Sequence, residues 1–154
     1  MNSFFKGTSP FSSPTKPGSK NWTTVKKKHI LVANTHIHWN PEHRDVKLVQ
    51  VQLLLEELSA LISPNSRWYN IPMILAGDFN STPDSGPYEL LSTGRLPPNH
   101  PELEPFTYGR YTHLGMEHRL QISSSYAPIG EPQFTNYTND FEGVLDYIWY
   151  SRER

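Results

Sequence analysis

The chain has 154 residues, of which 36% are hydrophobic and 12% aromatic, so it can bury the core of one globular domain. It contains no cysteine, which excludes a disulfide partner and a thiolate metal site, and it has no apolar run of the length that crosses a membrane. The net charge of −1 hides an asymmetry, because residues 1–41 carry six lysines and no acidic residue whereas the remainder is acidic.

The N-terminal lead, residues 1–28, mixes Ser, Thr, Pro, Gly and Lys, with few apolar residues at regular spacing. This composition predicts disorder, and we place the folded domain at residues 29–154. The lysines of the lead are either a solvated flank or a source of nonspecific phosphate contacts. The lead lacks the apolar core of a signal peptide.

Residues 30–41 are an apolar, β-rich run that ends in alternating histidines and a proline. His36 and His38 would share one face of a strand. An imidazole can donate to a phosphate oxygen or transfer a proton, and Pro41 can offer a flat apolar surface to a nucleobase. A structural, hydrogen-bonded role for either histidine is the alternative. The His-x-His pattern also occurs in zinc sites, although the other histidines show no clear ligand spacing.

Residues 42–62 show helical spacing of apolar residues, and Pro64 lies just past the end of this segment. The sequence predicts a helix packed on a sheet. The apolar stripe from which we predict its buried face consists of Val46, Val49, Leu53, Leu54, Leu58, Leu61 and Ile62.

The motif Gly77-Asp78-Phe79-Asn80 follows a short apolar strand predicted at about residues 72–76. Two oxygen-bearing side chains, one anionic and one neutral, therefore emerge where a buried strand ends. This arrangement suits Mg²⁺, which takes oxygen ligands and usually relies on one or two carboxylates together with water and substrate phosphates. The alternative is that common turn residues simply close the strand.

A second, short helix is predicted over residues 87–93, with Ser85 as its cap and Gly94 as its stop. Four prolines within residues 97–105 predict a surface loop without regular structure.

Residues 134–150 are predicted to form a hairpin with its turn at about residues 139–143. Both faces of the second strand are largely apolar, so we expect that strand to lie in the interior of the sheet. Asp146 would be a carboxylate among these apolar neighbours, where a charge needs a partner. A structural salt bridge and a functional role are both open for Asp146.

Three segments, in this order, resemble the endonuclease/exonuclease/phosphatase superfamily: Asn34-Thr35-His36, Gly77-Asp78-Phe79-Asn80 and Asp146-Tyr147-Ile148. Four longer segments resemble the carbon-catabolite-repressor-type poly(A) deadenylases in sequence: residues 36–42, 45–47, 135–138 and 140–144. The resemblance implies an α/β fold, the four-layer αββα sandwich of deoxyribonuclease I.

The resemblance implies that His36 contacts the scissile phosphate and that Asp146 orients a catalytic histidine. It implies that Asp78 and Asn80 bind Mg²⁺ or orient the nucleophile.

In the deadenylase branch, the positions of Pro41 and Phe141 sandwich a base, and that of Asn136 hydrogen-bonds to the substrate. Stacking on an aromatic ring suits single-stranded RNA.

We therefore expect a Mg²⁺-dependent 3′-to-5′ exoribonuclease that shortens poly(A). We expect it in the cytoplasm, with the nucleus as a second location, and with deadenylation-complex subunits as partners. In the family, an earlier segment supplies an Asn and a metal-binding Glu, and a later one ends in an Asp-His pair. Because we find no counterparts of these, we expect a partial αββα domain that is inactive alone. The alternatives are a non-catalytic RNA-binding or interaction module and a phosphatase or phosphodiesterase that acts on a small phosphorylated substrate.

Overall fold

The computed structural model describes residues 29–152, and a four-stranded mixed sheet forms its centre. The disorder expected for residues 1–28 lies outside the described residues. The elements in chain order are β1 (Leu31–His36), α1 (Arg44–Leu61), β2 (Met73–Asp78), α2 (Gly86–Thr93), β3 (Arg95–Leu96), a 3₁₀ helix (Pro101–Leu103), α3 (Arg110–Leu114), β4 (Met116–Glu117), β5 (Ile122–Ser124), β6 (Asn136–Tyr137), β7 (Glu142–Gly143) and β8 (Asp146–Ser151).

The strand order of the central sheet is β1-β2-β8-β5. β1 runs parallel to β2, as a strand pair joined by a helical crossover should, and the other two pairs are antiparallel. One face of the sheet is covered by a helical layer and holds the core, which includes Leu75, Tyr147 and Trp149. The α/β arrangement predicted from the sequence is confirmed.

Helix α1 confirms the predicted helix, but the predicted buried face is only partly correct: Leu58 and Ile62 are buried as expected, whereas other members of the stripe are not. Leu53 is 48% exposed and Leu61 is 47% exposed, although both belong to the stripe from which that face was predicted. The apolar residues of the helix that are buried are Leu48, Val51, Leu55 and Leu58.

Three polar residues on the buried face of α1 explain this error. Asp45 accepts a hydrogen bond from the Tyr108 hydroxyl, and Gln52 donates to Glu56 at 2.8 Å. Lys47, only 7% exposed, donates to the carbonyl oxygen of Asn80 at 2.7 Å. Because these side chains have partners in the fold, polarity does not mark the solvent face of this helix.

Helix α2 begins and ends close to the predicted positions, and Gly94 ends it with a φ of 84°. Ser85 is the N-cap residue, yet its hydroxyl donates to the carbonyl of Thr82 and not to the helix, so the side-chain cap was wrongly predicted. The proline-rich segment contains one short 3₁₀ helix where no regular structure was predicted.

The predicted hairpin exists, but it is shorter than expected. β6 pairs with β7, whereas β8 pairs with β2 and β5. β8 does lie inside the sheet, as expected, but only one of its faces is covered: Ile148 and Tyr150 are exposed among the described residues. None of the helices between residues 29 and 152 is both long and apolar enough to span a bilayer.

Candidate functional site

The ends of three neighbouring strands bring His36, Asp78 and Asp146 to one edge of the sheet. His36 and Asp78 are paired in the register of β1 and β2, and Asp78 is paired with Asp146 in that of β2 and β8. The Nε2 atom of His36 lies 3.7 Å from Oδ2 of Asp78. The structure therefore places the three residues in a row, with the Asp78 carboxylate between the exposed imidazole of His36 and Asp146.

Gly77 permits the close approach of β1 and β2 at this edge. Its φ is +149°, and a Cβ built on it would lie only 1.9 Å from the carbonyl oxygen of Thr35. Any side chain at this position would push the two strands apart, next to the pair of His36 and Asp78. The glycine of the motif is thus required by geometry.

The turn after β2 aims the Asn80 side chain. The Asn80 amide donates to Oδ1 of Asp78 at 2.8 Å, and its side-chain nitrogen donates to the carbonyl of Ile37 at 2.8 Å. Asn80 adopts a left-handed φ of 46°, which asparagine tolerates better than most residues. With its nitrogen engaged, the amide oxygen of Asn80 remains available to a ligand.

The same turn is anchored from below through its main chain. Phe79 is completely buried, and its amide donates to the carbonyl of Leu145 at 2.8 Å. The Tyr147 hydroxyl donates to the carbonyl of Ser81 at 2.8 Å, and burial raises the pKa of this phenol. The turn is therefore held by core residues as well as by its own side chains.

Lys47 supplies a buried cation beneath the turn. Burial lowers the pKa of this ammonium, and the charge of Glu102 opposes that effect. Lys47 belongs to the segment 45–47 that carried part of the resemblance, but its contact with Asn80 was not predicted.

A cavity of about 410 Å³ opens beside the turn. It brings together Pro41, Phe141 and Asn80, which lie far apart in the sequence. The complete lining consists of Trp39, Pro41, Arg44, Lys47, Asn80, Ser81, Thr82, Asp84, Ser85, Pro87, Glu102, Phe141 and Leu145.

Asn136 does not line this cavity, but the hairpin connects it to Phe141. Asn136 is paired with Gly143 across β6 and β7, and a Cβ at Gly143 would lie 2.7 Å from the Phe141 ring. The ring thus rests on the strand opposite Asn136. The sequence interpretation did not identify Trp39, Arg44, Lys47 or Glu102 as cavity residues. Arg44 and Lys47 belong to the predicted helix and Glu102 to a short 3₁₀ helix, but their meeting at one cavity depends on long-range packing that local spacing does not show.

The donor set at the strand ends was tested for a hard cation. The described residues contain no group of three or more His, Asp or Glu side chains that would hold a metal ion. Asp78 and Asn80 nevertheless offer a carboxylate oxygen and an amide oxygen, and Asp146 offers a second carboxylate nearby. This set fits Mg²⁺, which completes its coordination with water and substrate phosphate oxygens.

Comparison with known proteins adds an independent line of observation. The model of the Endonuclease/Exonuclease/phosphatase family matches residues 9–154. The CCR4-Not complex 3′-5′-exoribonuclease subunit Ccr4 of Mycosarcoma maydis is 42% identical over 142 residues, which cover 80% of this chain and 21% of that protein. The protein of the same name from Yarrowia lipolytica is 43% identical over 148 residues, with 84% and 21% covered. The chain spans about a fifth of the length of these curated relatives.

Two solved structures share the fold. ANGEL2, described as a 2′,3′-cyclic phosphatase in complex with adenosine-2′,3′-vanadate, superimposes with a TM-score of 0.61 at 26% identity, covering 79% of this chain and 45% of that one. The human Nocturnin catalytic domain with bound sulfate gives a TM-score of 0.55 at 22% identity, covering 84% and 38%.

Proposed function

The chain belongs to the endonuclease/exonuclease/phosphatase family, and we propose from this premise that it forms part of a Mg²⁺-dependent 3′-to-5′ exoribonuclease that shortens poly(A). The family and the deoxyribonuclease-I-like α/β fold expected from the sequence are confirmed. One observation carries the proposed activity: a single cavity joins Asn80, which follows the strand-end Asp78, to the two predicted base-contacting residues Pro41 and Phe141.

The strand-end residues have the functional groups that phosphodiester hydrolysis requires. The exposed imidazole of His36 can donate to a phosphate oxygen, where charge grows in the transition state. Asp78 and Asn80 can hold Mg²⁺, which when bound neutralises charge on the phosphate oxygens. Asp146 can accept a hydrogen bond from the attacking water, or from an imidazole that in turn orients this water.

The cavity provides a place for the base next to this chemistry. Pro41 presents a flat apolar surface and Phe141 an aromatic face, and both residues line the same cavity. A base held between them would lie beside Asn80, and Asn136 would hydrogen-bond to the same nucleotide from the hairpin. Stacking accepts any base but is stronger for a larger ring, so we assign the adenine preference to the stacking on Phe141 together with the polar groups around the ring.

Shortening of 5′-labelled oligo(A), followed on a denaturing gel with Mg²⁺ and with EDTA, tests the proposed activity. By itself the chain should show little or no shortening. In a catalytic domain that joins it to the family's metal-binding Glu and Asp-His segments, we expect EDTA-sensitive removal of nucleotides from the 3′ end, and Asp78→Ala should lower its rate by roughly 10²-fold or more. Glu57→Ala, a change on the exposed face of α1, is the matched control for removal of a carboxylate. Equal rates for the two variants, or cleavage that persists in EDTA, would refute the assignment.

Partners and location follow from the same proposal. The matched Ccr4 proteins are named as subunits of the CCR4-Not complex. We extend this association to the present chain and propose that it acts in the cytoplasm, with the nucleus as a second location. Co-purification of the tagged protein with deadenylation-complex subunits, together with imaging of its location, would test both points.

A phosphatase that acts on 2′,3′-cyclic phosphate ends is the second candidate, favoured by the superposition with ANGEL2. Oligo(A) ending in a 2′,3′-cyclic phosphate distinguishes the two activities. Opening of the cyclic phosphate without shortening supports the phosphatase, whereas shortening of oligo(A) with a free 3′-hydroxyl supports the exonuclease.

A further inference from the structure

Trp39 has no role in the activity described so far, although it lies on the wall of the cavity that contains Pro41 and Phe141. Its side chain is 69% exposed. We propose that Trp39 is a stacking platform for the base of a second nucleotide, next to the base held between Pro41 and Phe141. This inference rests on the proposed function and extends its binding site to at least two nucleotides.

Position in the cavity distinguishes Trp39 from the other exposed aromatic residues. Among the described residues, Tyr69, Phe106 and Tyr137 are also exposed, but none of them lines this cavity. Trp39 and Phe141 are the exposed aromatic residues that do. An exposed tryptophan at the edge of a base-sized cavity leaves a large apolar ring in water, which a stacked base would cover.

The backbone that carries Trp39 is tied to helix α1, so its position is set before any ligand binds. The His38 amide donates to Oε1 of Gln50 at 2.9 Å, and Nε2 of His38 shares a hydrogen bond of 2.9 Å with Nδ1 of His43. The His38 ring in turn lies 6.2 Å from the Trp39 ring. With the backbone held in this way, only the Trp39 side chain itself must be ordered when a base stacks on it.

The next residue fixes the direction from Trp39 to Pro41. Oδ1 of Asn40 accepts a hydrogen bond from the Glu42 amide at 2.9 Å, which forms a local turn around Pro41. The two apolar surfaces therefore lie two residues apart on one hydrogen-bonded segment. Two successive bases of a single strand could use them in turn.

Arg44 supplies the charge that a dinucleotide needs. It is exposed, it lines the same cavity and it begins helix α1. A guanidinium can pair with a phosphate through two parallel hydrogen bonds, and the phosphate between two nucleotides would pass this wall. Lys47 is less suited to this role because its ammonium is bound to the Asn80 carbonyl.

Comparison of one and two nucleotides tests the proposal directly. The probes are AMP and the dinucleotide ApA, titrated calorimetrically into the protein with EDTA present to prevent hydrolysis. Wild type should bind ApA more tightly than AMP by roughly 5-fold to 150-fold, the range for one stacked base. Trp39→Ala should remove this gain and leave AMP binding unchanged, while Trp39→Phe should keep most of it.

Trp68→Ala is the matched control, since Trp68 lies outside the cavity with the Arg67 guanidinium over its ring. Thermal melting of each variant checks that it is folded. The proposal is overturned if wild type binds AMP and ApA equally or binds neither, if Trp39→Ala leaves ApA binding intact, or if it weakens AMP and ApA to the same extent. Shortening of oligo(A) that is insensitive to Trp39 but sensitive to Phe141 would refute the second platform alone and leave the proposed function standing.

Discussion

Replacement of Lys47 by methionine tests whether a buried cation holds the turn that carries Asn80. Methionine keeps a long, apolar side chain in the space of the lysine stem but removes the hydrogen bond of 2.7 Å to the Asn80 carbonyl. A hydrogen bond with a charged donor contributes about 1.5–3 kcal/mol. The variant also avoids the cost of burying an ammonium, which offsets part of this loss.

We therefore expect Lys47→Met to lower the free energy of unfolding by about 1 kcal/mol, since the offset is of the same order as the hydrogen bond. With a urea m-value of about 2 kcal/mol/M, the midpoint should fall by roughly 0.5 M. Oligo(A) shortening should fall by more than the loss of folded protein explains, because the Asn80 turn loosens. Glu57→Met controls for methionine in α1, as Glu57 is exposed.

The pH dependence gives a second readout for the same variant. The pKa of Lys47 is lowered by burial from its usual 10.5, so between the lowered pKa and 10.5 the unfolded chain binds more protons than the folded one. The contribution of Lys47 to the free energy of unfolding must then rise with pH in that window. The advantage of wild type over Lys47→Met should grow as pH increases towards 10.5. A constant difference, with unchanged oligo(A) shortening, would refute the role of Lys47.

Three further substitutions test other parts of the structure. Gly77→Ala should destabilise the protein by about 3 kcal/mol, the upper end of overpacking costs, because the new Cβ would meet the Thr35 carbonyl. Gly130→Ala is the control, since Gly130 also has a positive φ but a Cβ there would meet nothing within 4 Å. It should lower the free energy of unfolding by less in the same urea titration. Phe141→Ala should weaken oligo(A) binding by roughly 1–3 kcal/mol of stacking energy, and it should reduce the preference for oligo(A) over oligo(U) in an anisotropy assay. If the affinities for oligo(A) and oligo(U) fall equally, Phe141 has only a packing role. The hydrogen bond to Asp45 raises the pKa of the Tyr108 phenol from 10.0 to about 12, so the folded state holds this proton more tightly than the unfolded chain. Wild type should therefore lose stability as pH rises from 10 to 12, and Tyr108→Phe should remove this loss. Identical pH profiles for wild type and the phenylalanine variant would contradict this last expectation.

The strand ends and the long helix were predictable because their signals are local. An apolar run followed by Gly77 and Asp78 has few other interpretations, and a helix of 18 residues with a proline after it is visible from spacing alone. Which face of α1 is buried was only partly predictable in this way. Asp45 and Lys47 are buried because their partners, Tyr108 and Asn80, come from distant parts of the chain.

The cavity depended even more on long-range placement. Pro41 and Phe141 were identified as base contacts by resemblance, and a hundred residues separate them. Trp39 joins them from a loop and Glu102 from a three-residue 3₁₀ helix, where neither a period of two nor one of 3.6 exists to mark them. Two-residue strands such as β6 and β7 are also below the length at which an alternating pattern can be recognised.

The turn after β2 is anchored through main-chain atoms, so the contacts that hold its fold differ from the side chains proposed for catalysis at this edge of the sheet. The turn is held by hydrogen bonds that involve its main-chain atoms, donated by the Tyr147 hydroxyl, the Lys47 ammonium and the Phe79 amide. The path of the chain therefore does not depend on the side chains of residues 78 and 80 alone. Substitutions at those two positions can therefore abolish turnover in a protein that still folds and still presents its cavity. Such an inert form would serve as a trap for bound RNA, and it would also let the catalytic residues change during evolution without redesign of the scaffold beneath them.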